Sequence, residues 1–370
     1  MWRKLVALMR GDGVAPGRKP NPLQRRPVPD ASSVTEIAFA GANPGNLRMF
    51  GHVPQGLPPG APLVVALHGC GQTAAGYDQG AGWSRLADEL GFAVLAPEQK
   101  AVNNPHTCFD WFNPEDIARG GGEVASIAAM IETMVETHAL DPARVFITGL
   151  SAGGAMAAAM LAVYPELFAG GAIIAGLPFG AAANVRDALE AMRSAPLRTP
   201  RAWADAVRAA SDHAGPWPRI SIWHGALDTT VNVNNAQALV AQWADLHAFG
   251  LTEARQEMVD GAIRLAWGDR LEVYTLPMLG HATPIDSADI GVPGPFIQEA
   301  GISSTRRIAS FWGLAAKKPR AAPVPSQPVH AVPPPEPAEA PPQGHAAPEE
   351  LPPVVTAENF VRRVLRKLGY

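Results

Sequence analysis

The chain has 370 residues, a formal net charge of −4 at pH 7 and a hydrophobic fraction of 47%, enough apolar material for one large or two ordinary domains. It carries no basic stripe, which argues against nucleic acid as a partner. No apolar run reaches the roughly 18 residues of a spanning helix, so no transmembrane segment is expected.

In chain order, residues 1–33 read as a flexible leader. The apolar stretch Leu5–Met9 is shorter than the roughly 7–15 residues of a secretory core, and Arg10 and Asp12 close it. No signal peptide is therefore expected, and a cytoplasmic location is favoured. Patterned sequence runs from 34 to 314. Leu63–Leu67 predicts a buried strand, Trp83–Leu90 an amphipathic helix and Phe92–Ala96 the next strand. Val124, Ile127, Ala128, Ile131, Met134 and Val135 recur at helical spacing. Val145–Thr148 is strand-like, followed at once by Gly149-Leu150-Ser151-Ala152-Gly153 and a small-residue helix to about Tyr164. Gly171–Ala175, Arg219–Trp223 and Leu271–Leu276 predict further strands, with helices near 234–247 and 305–312. Residues 177–217, with a short helix near 203–210, interrupt this rhythm, either as a cap over the sheet or as a surface excursion. Strands alternating with helices predict an α/β fold, its mostly parallel sheet covered on both faces.

After Leu314 the composition shifts. Residues 315–353 hold 13 of the 37 prolines and predict an extended linker. Residues 354–370 predict a short basic amphipathic helix with Phe360, Val361, Val364, Leu365 and Leu368 on one face. Such a helix on a tether suits docking to a partner, a polymer granule or an anionic surface, or it folds back on the body.

Strand, G-x-S-x-G, helix is the context of a nucleophile elbow, which would put Ser151 at the carboxyl end of the sheet. A serine needs a base, and the base an orienting acid. In such folds the chain order is Ser, acid, His, each on a loop after a strand. Arg219–Trp223 leads to Asp228, and Leu271–Leu276 leads to His281. Asp260 and Asp269 fall on a predicted hairpin, and Asp286 and Asp289 follow the histidine. Among the histidines, His224 neighbours the acid loop and is expected to be a structural contact there. His138 and His247 end predicted helices. His281 alone follows the last core strand. The oxyanion of acyl transfer needs two fixed donors. The backbone N–H of Ala152 is one. The other is assigned to Cys70 in His68-Gly-Cys-Gly-Gln72, with Gly71 and Gln72 as rivals. Cys70 and Cys108 are read either as one disulfide or as two separate thiols. No metal motif, P-loop or dinucleotide fingerprint is found, so no metal and no cofactor are expected.

These segments together resemble the polyhydroxybutyrate depolymerase family of α/β-hydrolase esterases, with its feruloyl and acetylxylan esterase relatives. The resemblance rests on His68–Gln72, Cys108-Phe-Asp-Trp-Phe112, Gly122–Ile127, Asp141–Gly154, His224-Gly-Ala-Leu-Asp228 and Gly280-His281. It implies an α/β-hydrolase catalytic domain over 34–314. The expected reaction is acyl-enzyme hydrolysis of a polyester or small ester by Ser151, His281 and Asp228. By position it also puts Trp111 in the substrate cleft. Feruloyl- or acetylxylan-type hydrolysis is the alternative within this class, and a non-catalytic polymer- or granule-binding protein is the alternative from another.

Overall fold

The computed structural model describes residues 32–314. The expected leader (apart from 32 and 33), the proline-rich linker and the C-terminal helix lie outside the described residues.

Short strands β1 (Thr35–Ile37) and β2 (Arg48–His52) pair antiparallel at one edge. Inward follow β3 (Leu63–Leu67), β4 (Ala93–Glu98), β5 (Val145–Leu150), β6 (Gly170–Ile174) and β7 (Arg219–Gly225). A hairpin of β8 (Arg255–Val259) and β9 (Ala262–Trp267) leads into β10 (Leu271–Leu276). The ten strands form one sheet in the order β1-β2-β4-β3-β5-β6-β7-β10-β9-β8. The run from β4 to β10 is parallel throughout, as expected of strands joined by helical crossovers. β11 (Thr283–Ile285) and β12 (Ile297–Glu299) make a separate parallel pair.

The strand side chains explain why the sheet needs cover on both sides. Leu63, Val65 and Leu67 of β3 enter one apolar core, whereas Val64 and Ala66 enter the other, the period-two consequence of the pleat. Along the chain come α1 (Ala74–Ala81), α2 (Trp83–Leu90), α3 (Gly122–Thr137), α4 (Ala152–Val163), α5 (Val185–Arg193), α6 (Pro200–Arg208) and α7 (Asn234–Leu246), of which α3 to α7 close the first core. The second is closed by α1, α2 and α8 (Ser304–Phe311). There Trp312 stacks between Trp83 and Phe146, with ring centroids 5.8 and 5.0 Å away. All twelve residues of α4 are buried, and its sequence AGGAMAAAMLAV lets it lie close under the central strands.

The expected elements are found within a residue or two, except that the short helix expected near 203–210 starts at Pro200 and ends at Arg208. The structure adds the strands β1, β2, β11 and β12 and the helices α1 and α5, which the alternation did not predict, and gives the expected hairpin its strands β8 and β9. The edge strands are short or largely exposed and so lack a continuous apolar run. Asp260 and Asp269 occupy the turns of the β8–β9–β10 meander, as the hairpin reading expected.

Candidate active site

The site is assembled from loops at the carboxyl ends of the parallel strands. Ser151 separates β5 from α4 at φ 57° and ψ −117°, a conformation that costs a non-glycine residue of order 1–3 kcal/mol. The turn is tight enough that a Cβ on Gly149 would run into the carbonyl of Gly153, and one on Gly153 into the carbonyls of Leu67 and His68. The two glycines are thus required by space, and they let β5, α4 and the end of β3 meet.

Asp228 follows β7 and is held before anything reaches it from the site. Its Oδ1 accepts from the backbone N–H groups of Thr230 and Val231, both at 2.8 Å. The acid loop is stitched to the histidine loop by Ala226 N–H to Leu276 O at 2.9 Å and Leu227 N–H to Leu279 O at 3.0 Å. His281, after β10, places Nδ1 2.7 Å from Asp228 Oδ2 and Nε2 2.9 Å from Ser151 Oγ. A carboxylate only accepts, so Nδ1 carries the proton and Nε2 offers its lone pair to the hydroxyl. Burial pushes the Asp228 carboxyl up, but hydrogen bonds from His224 and His281 outweigh this and hold it well below the ordinary carboxylate range. The site therefore contains an anionic carboxylate, an imidazole with a free lone pair and a hydroxyl in series, which is what abstraction of the hydroxyl proton requires.

The loop after β3 lies across from the serine. Gly71 N–H donates to His106 O at 2.8 Å and Gln72 N–H to Gly69 O at 3.2 Å, while Gly69 N–H donates to the Gln72 side chain at 2.8 Å. Cys70 N–H has no acceptor among the described residues, unlike its two rivals. Ala152 N–H, at the first position of α4, lacks an intrahelical partner by construction. Cys70 is joined to Cys108 by a disulfide, with Cα atoms 4.2 Å apart, which resolves the question the two cysteines left open. Beneath it, His68 Nδ1–H donates to Gly69 O at 2.8 Å, and its Nε2 accepts from Gln99 N–H at 3.1 Å. Burial lowers the pKa of His68, consistent with a neutral ring acting as a brace. Gln99 also donates to Cys108 O at 3.1 Å and to Glu123, so both ends of the disulfide share one buried polar support.

Ser151 opens on two connected recesses. The smaller is bounded by Gly69, Cys70, Thr230, His281 and Phe296. The other is apolar, with Trp111, Phe112 and Leu177 on one side and Val185, Leu189 and Met192 of α5 on the other. Trp111 stands in that wall, buried, with Phe112 edge-on at 5.6 Å. Past Phe112 and Val185 the cleft continues between Asn104, His106, Asn113 and Asn184. Residues 177–217 thus supply one wall of the cleft through α5. The residues missed in the sequence are Phe296, whose ring meets His281 edge-on at 5.9 Å, and the α5 set. A signal for the latter existed, since Val185, Ala188, Leu189 and Met192 fall at i, i+3, i+4 and i+7. Phe296 lies in an irregular loop and left none.

One carboxylate group, Asp110, Asp116 and Glu123, has ligand atoms within 4.8 Å of one another. Glu123 accepts from Gln99 and, at 3.0 Å, from Asp110 N–H, and Asp110 and Asp116 accept from Asn104 and Asn113 at 2.7 and 2.6 Å. The cluster reads as part of the loop's internal bonding.

Comparison with known proteins finds esterases and a depolymerase among those similar to the chain. The family model described as esterase PHB depolymerase matches residues 53–263. Poly(3-hydroxyalkanoate) depolymerase C of Paucimonas lemoignei is 43% identical over 292 residues, covering 76% of this chain and 70% of that protein. Acetylxylan esterase A of Aspergillus oryzae is 32% identical over 266 residues, 69% of this chain and 85% of its own. Feruloyl esterase B of Thermothelomyces thermophilus is 30% identical over 274 residues, 70% and 92% respectively. Among solved structures, the acetyl xylan esterase from Aspergillus awamori superposes with a TM-score of 0.66 at 27% identity, covering 77% of this chain and all of that one.

Proposed function

Because the chain belongs to the PHB depolymerase family of serine esterases, we propose that it cleaves the ester bonds of a poly(3-hydroxyalkanoate), with Ser151 as nucleophile. His281 takes the hydroxyl proton as Ser151 Oγ attacks the carbonyl carbon, and returns it to the departing alkoxide. Asp228 holds the imidazole tautomer. Water, activated by the same imidazole, then attacks the acyl-enzyme and releases the hydroxyacid and free Ser151. The N–H groups of Cys70 and Ala152 receive the oxyanion, and such a donor is worth about 2.7–4 kcal/mol in comparable sites. The observation that carries this reading is the hydrogen-bonded series Ser151–His281–Asp228 at the mouth of an apolar recess.

Two features support a polyester over a small soluble ester. The cleft runs on from the serine past Phe112 and Val185, giving room for more than one monomer unit, with Trp111 as a substrate contact. Leu227 and Met278, on the joined loops of the acid and the histidine, are 54% and 84% exposed, and an apolar rim suits a water-insoluble substrate. The 30–32% identity to feruloyl and acetylxylan esterases supports the alternative of a plant-polymer ester. Docking of the C-terminal segment to a granule rests on its sequence pattern and belongs to the same proposal, whereas the alternative of a non-catalytic binder is set aside because the relatives are named esterases and depolymerases.

Labelling with a fluorophosphonate and mapping the modified peptide tests the assignment; modification at Ser151 is expected, and modification elsewhere overturns it. Turnover of hydroxybutyrate oligomers, p-nitrophenyl butyrate, feruloyl and acetylated-xylan esters side by side tests the substrate, with the oligomers expected to lead. Ester hydrolysis unchanged in Ser151→Ala ends the mechanism.

A further inference from the structure

Asp228 faces a second imidazole. His224 ends the apolar part of β7, is fully buried, and places Nε2 2.9 Å from Val231 O and 3.4 Å from Asp228 Oδ2. A carbonyl only accepts, so Nε2 carries the proton of His224 and donates it to Val231 O, with Asp228 Oδ2 beside it at 3.4 Å. Its Nδ1 is buried without a partner among the described residues, a desolvation cost that an apolar side chain here would avoid.

What is held in return is specific. Val231 N–H donates to Asp228 Oδ1 while Val231 O accepts from His224, so the acid loop is closed on itself from both faces. The carboxylate then has one oxygen fixed by Thr230 and Val231 and the other shared between His281 and His224. Val231 also borders the apolar recess beside Ser151. The titratable groups acting on Asp228 are these two imidazoles. Of them, His281 is turned to the serine and His224 away from it.

We propose that His224 is a positioning residue for ester hydrolysis: its Nε2–H holds Asp228 Oδ2 and the Val231 carbonyl in the arrangement that orients His281. This rests on the reading of Ser151, His281 and Asp228 as the reacting series. A donor shared with Asp228 also withdraws charge from the carboxylate, so its removal makes the carboxylate a stronger partner for His281. The acid limb of the rate profile then moves to higher pH.

The test compares three variants with the parent on p-nitrophenyl butyrate, with Ser151→Ala as the control for the reading beneath. His224→Leu removes the donor. His224→Asn keeps an amide that falls short of the Nε2 position. His224→Gln carries an amide N–H that reaches it. The expected result is a kcat reduced at least tenfold in the Leu and Asn variants, KM within twofold, an acid limb displaced upward, and most of kcat recovered in the Gln variant. If the Leu variant does not fold, Asn against Gln carries the same contrast. Parent kcat and limb in the Asn variant overturn the proposal. So does equal loss in Asn and Gln, at equal melting temperature, with the limb unmoved. Hydrolysis surviving in Ser151→Ala overturns instead the reading on which it rests.

Discussion

His281 Nε2 lies 2.9 Å from Ser151 Oγ although 130 positions separate the two residues in the chain. The contact depends on the register between β7 and β10, which puts Gly225 opposite Leu276, and on the two N–H bonds that tie the loops leaving those strands. The sheet does the work of bringing distant segments together, and the loops need only short reaches from fixed strand ends.

Asp228→Asn is expected to lower kcat on a soluble ester by about 10^4-fold, the loss seen when such an acid is replaced elsewhere. The amide can still accept from Thr230 and Val231 N–H, so the loop persists. Its N–H would face Nδ1 and favour the tautomer with the proton on Nε2, the wrong side for accepting the serine proton. Steady-state kinetics and a melting curve check this; a variant that melts near the parent and retains more than a tenth of kcat contradicts it.

Gly149→Ala is expected to cost about 1–3 kcal/mol by overpacking, because its Cβ enters the carbonyl of Gly153. The relief available is to push α4 away from β5, which displaces both Ser151 and Ala152 N–H. A lowered melting temperature together with fluorophosphonate labelling slowed at least tenfold is the expected pair of results.

Opening the Cys70–Cys108 bridge should affect stability and rate together. The bridge closes a loop of 38 residues, for which the chain-entropy model gives about 4 kcal/mol. It also anchors the segment bearing the Cys70 N–H. Dithiothreitol treatment is expected to lower both the melting temperature and kcat, and an alkylated, folded protein with parent kcat would contradict the second.

Leu227→Ser with Met278→Ser should leave p-nitrophenyl butyrate turnover within twofold of the parent while weakening adsorption to polyhydroxybutyrate film several-fold. The rationale is loss of exposed apolar area from the rim, at about 25 cal/mol per Å². Film binding measured by depletion from solution checks it.

Stability should fall with acid through a window set in part by His247. Burial, then the nearby Arg270 charge, lower its pKa from 6.5 to about 4. The unfolded chain therefore binds this proton more readily, so the contribution is fully present above pH 6.5 and is lost as pH falls towards 4. One such group gives at most about 1.4 kcal/mol per pH unit. Melting curves across that range should show a shallower decline in His247→Gln.

The reading of Ser151, Asp228 and His281 from sequence rested on strand–loop order, a signal as strong as the apolar strands that precede each loop. The structure brings those three side chains together, with Cys70 and Trp111 beside them. Edge strands such as Thr35–Ile37 were illegible because they are short and exposed. Cys70 and Cys108 could not be paired from sequence, since two thiols carry no record of distance until the loops are folded. Phe296 escaped for a related reason: its place beside His281 depends on the irregular loop between β11 and β12, where no periodicity operates.

The excursion between β6 and β7 leaves the sheet and returns to it without contributing Ser151, His281 or Asp228, yet its helix α5 forms one side of the cleft. The reacting side chains and this wall of the cleft therefore come from separate stretches of chain. Grafting a foreign 177–217 segment between the same two strand ends offers a route to enzymes of altered preference that keep the parental reaction.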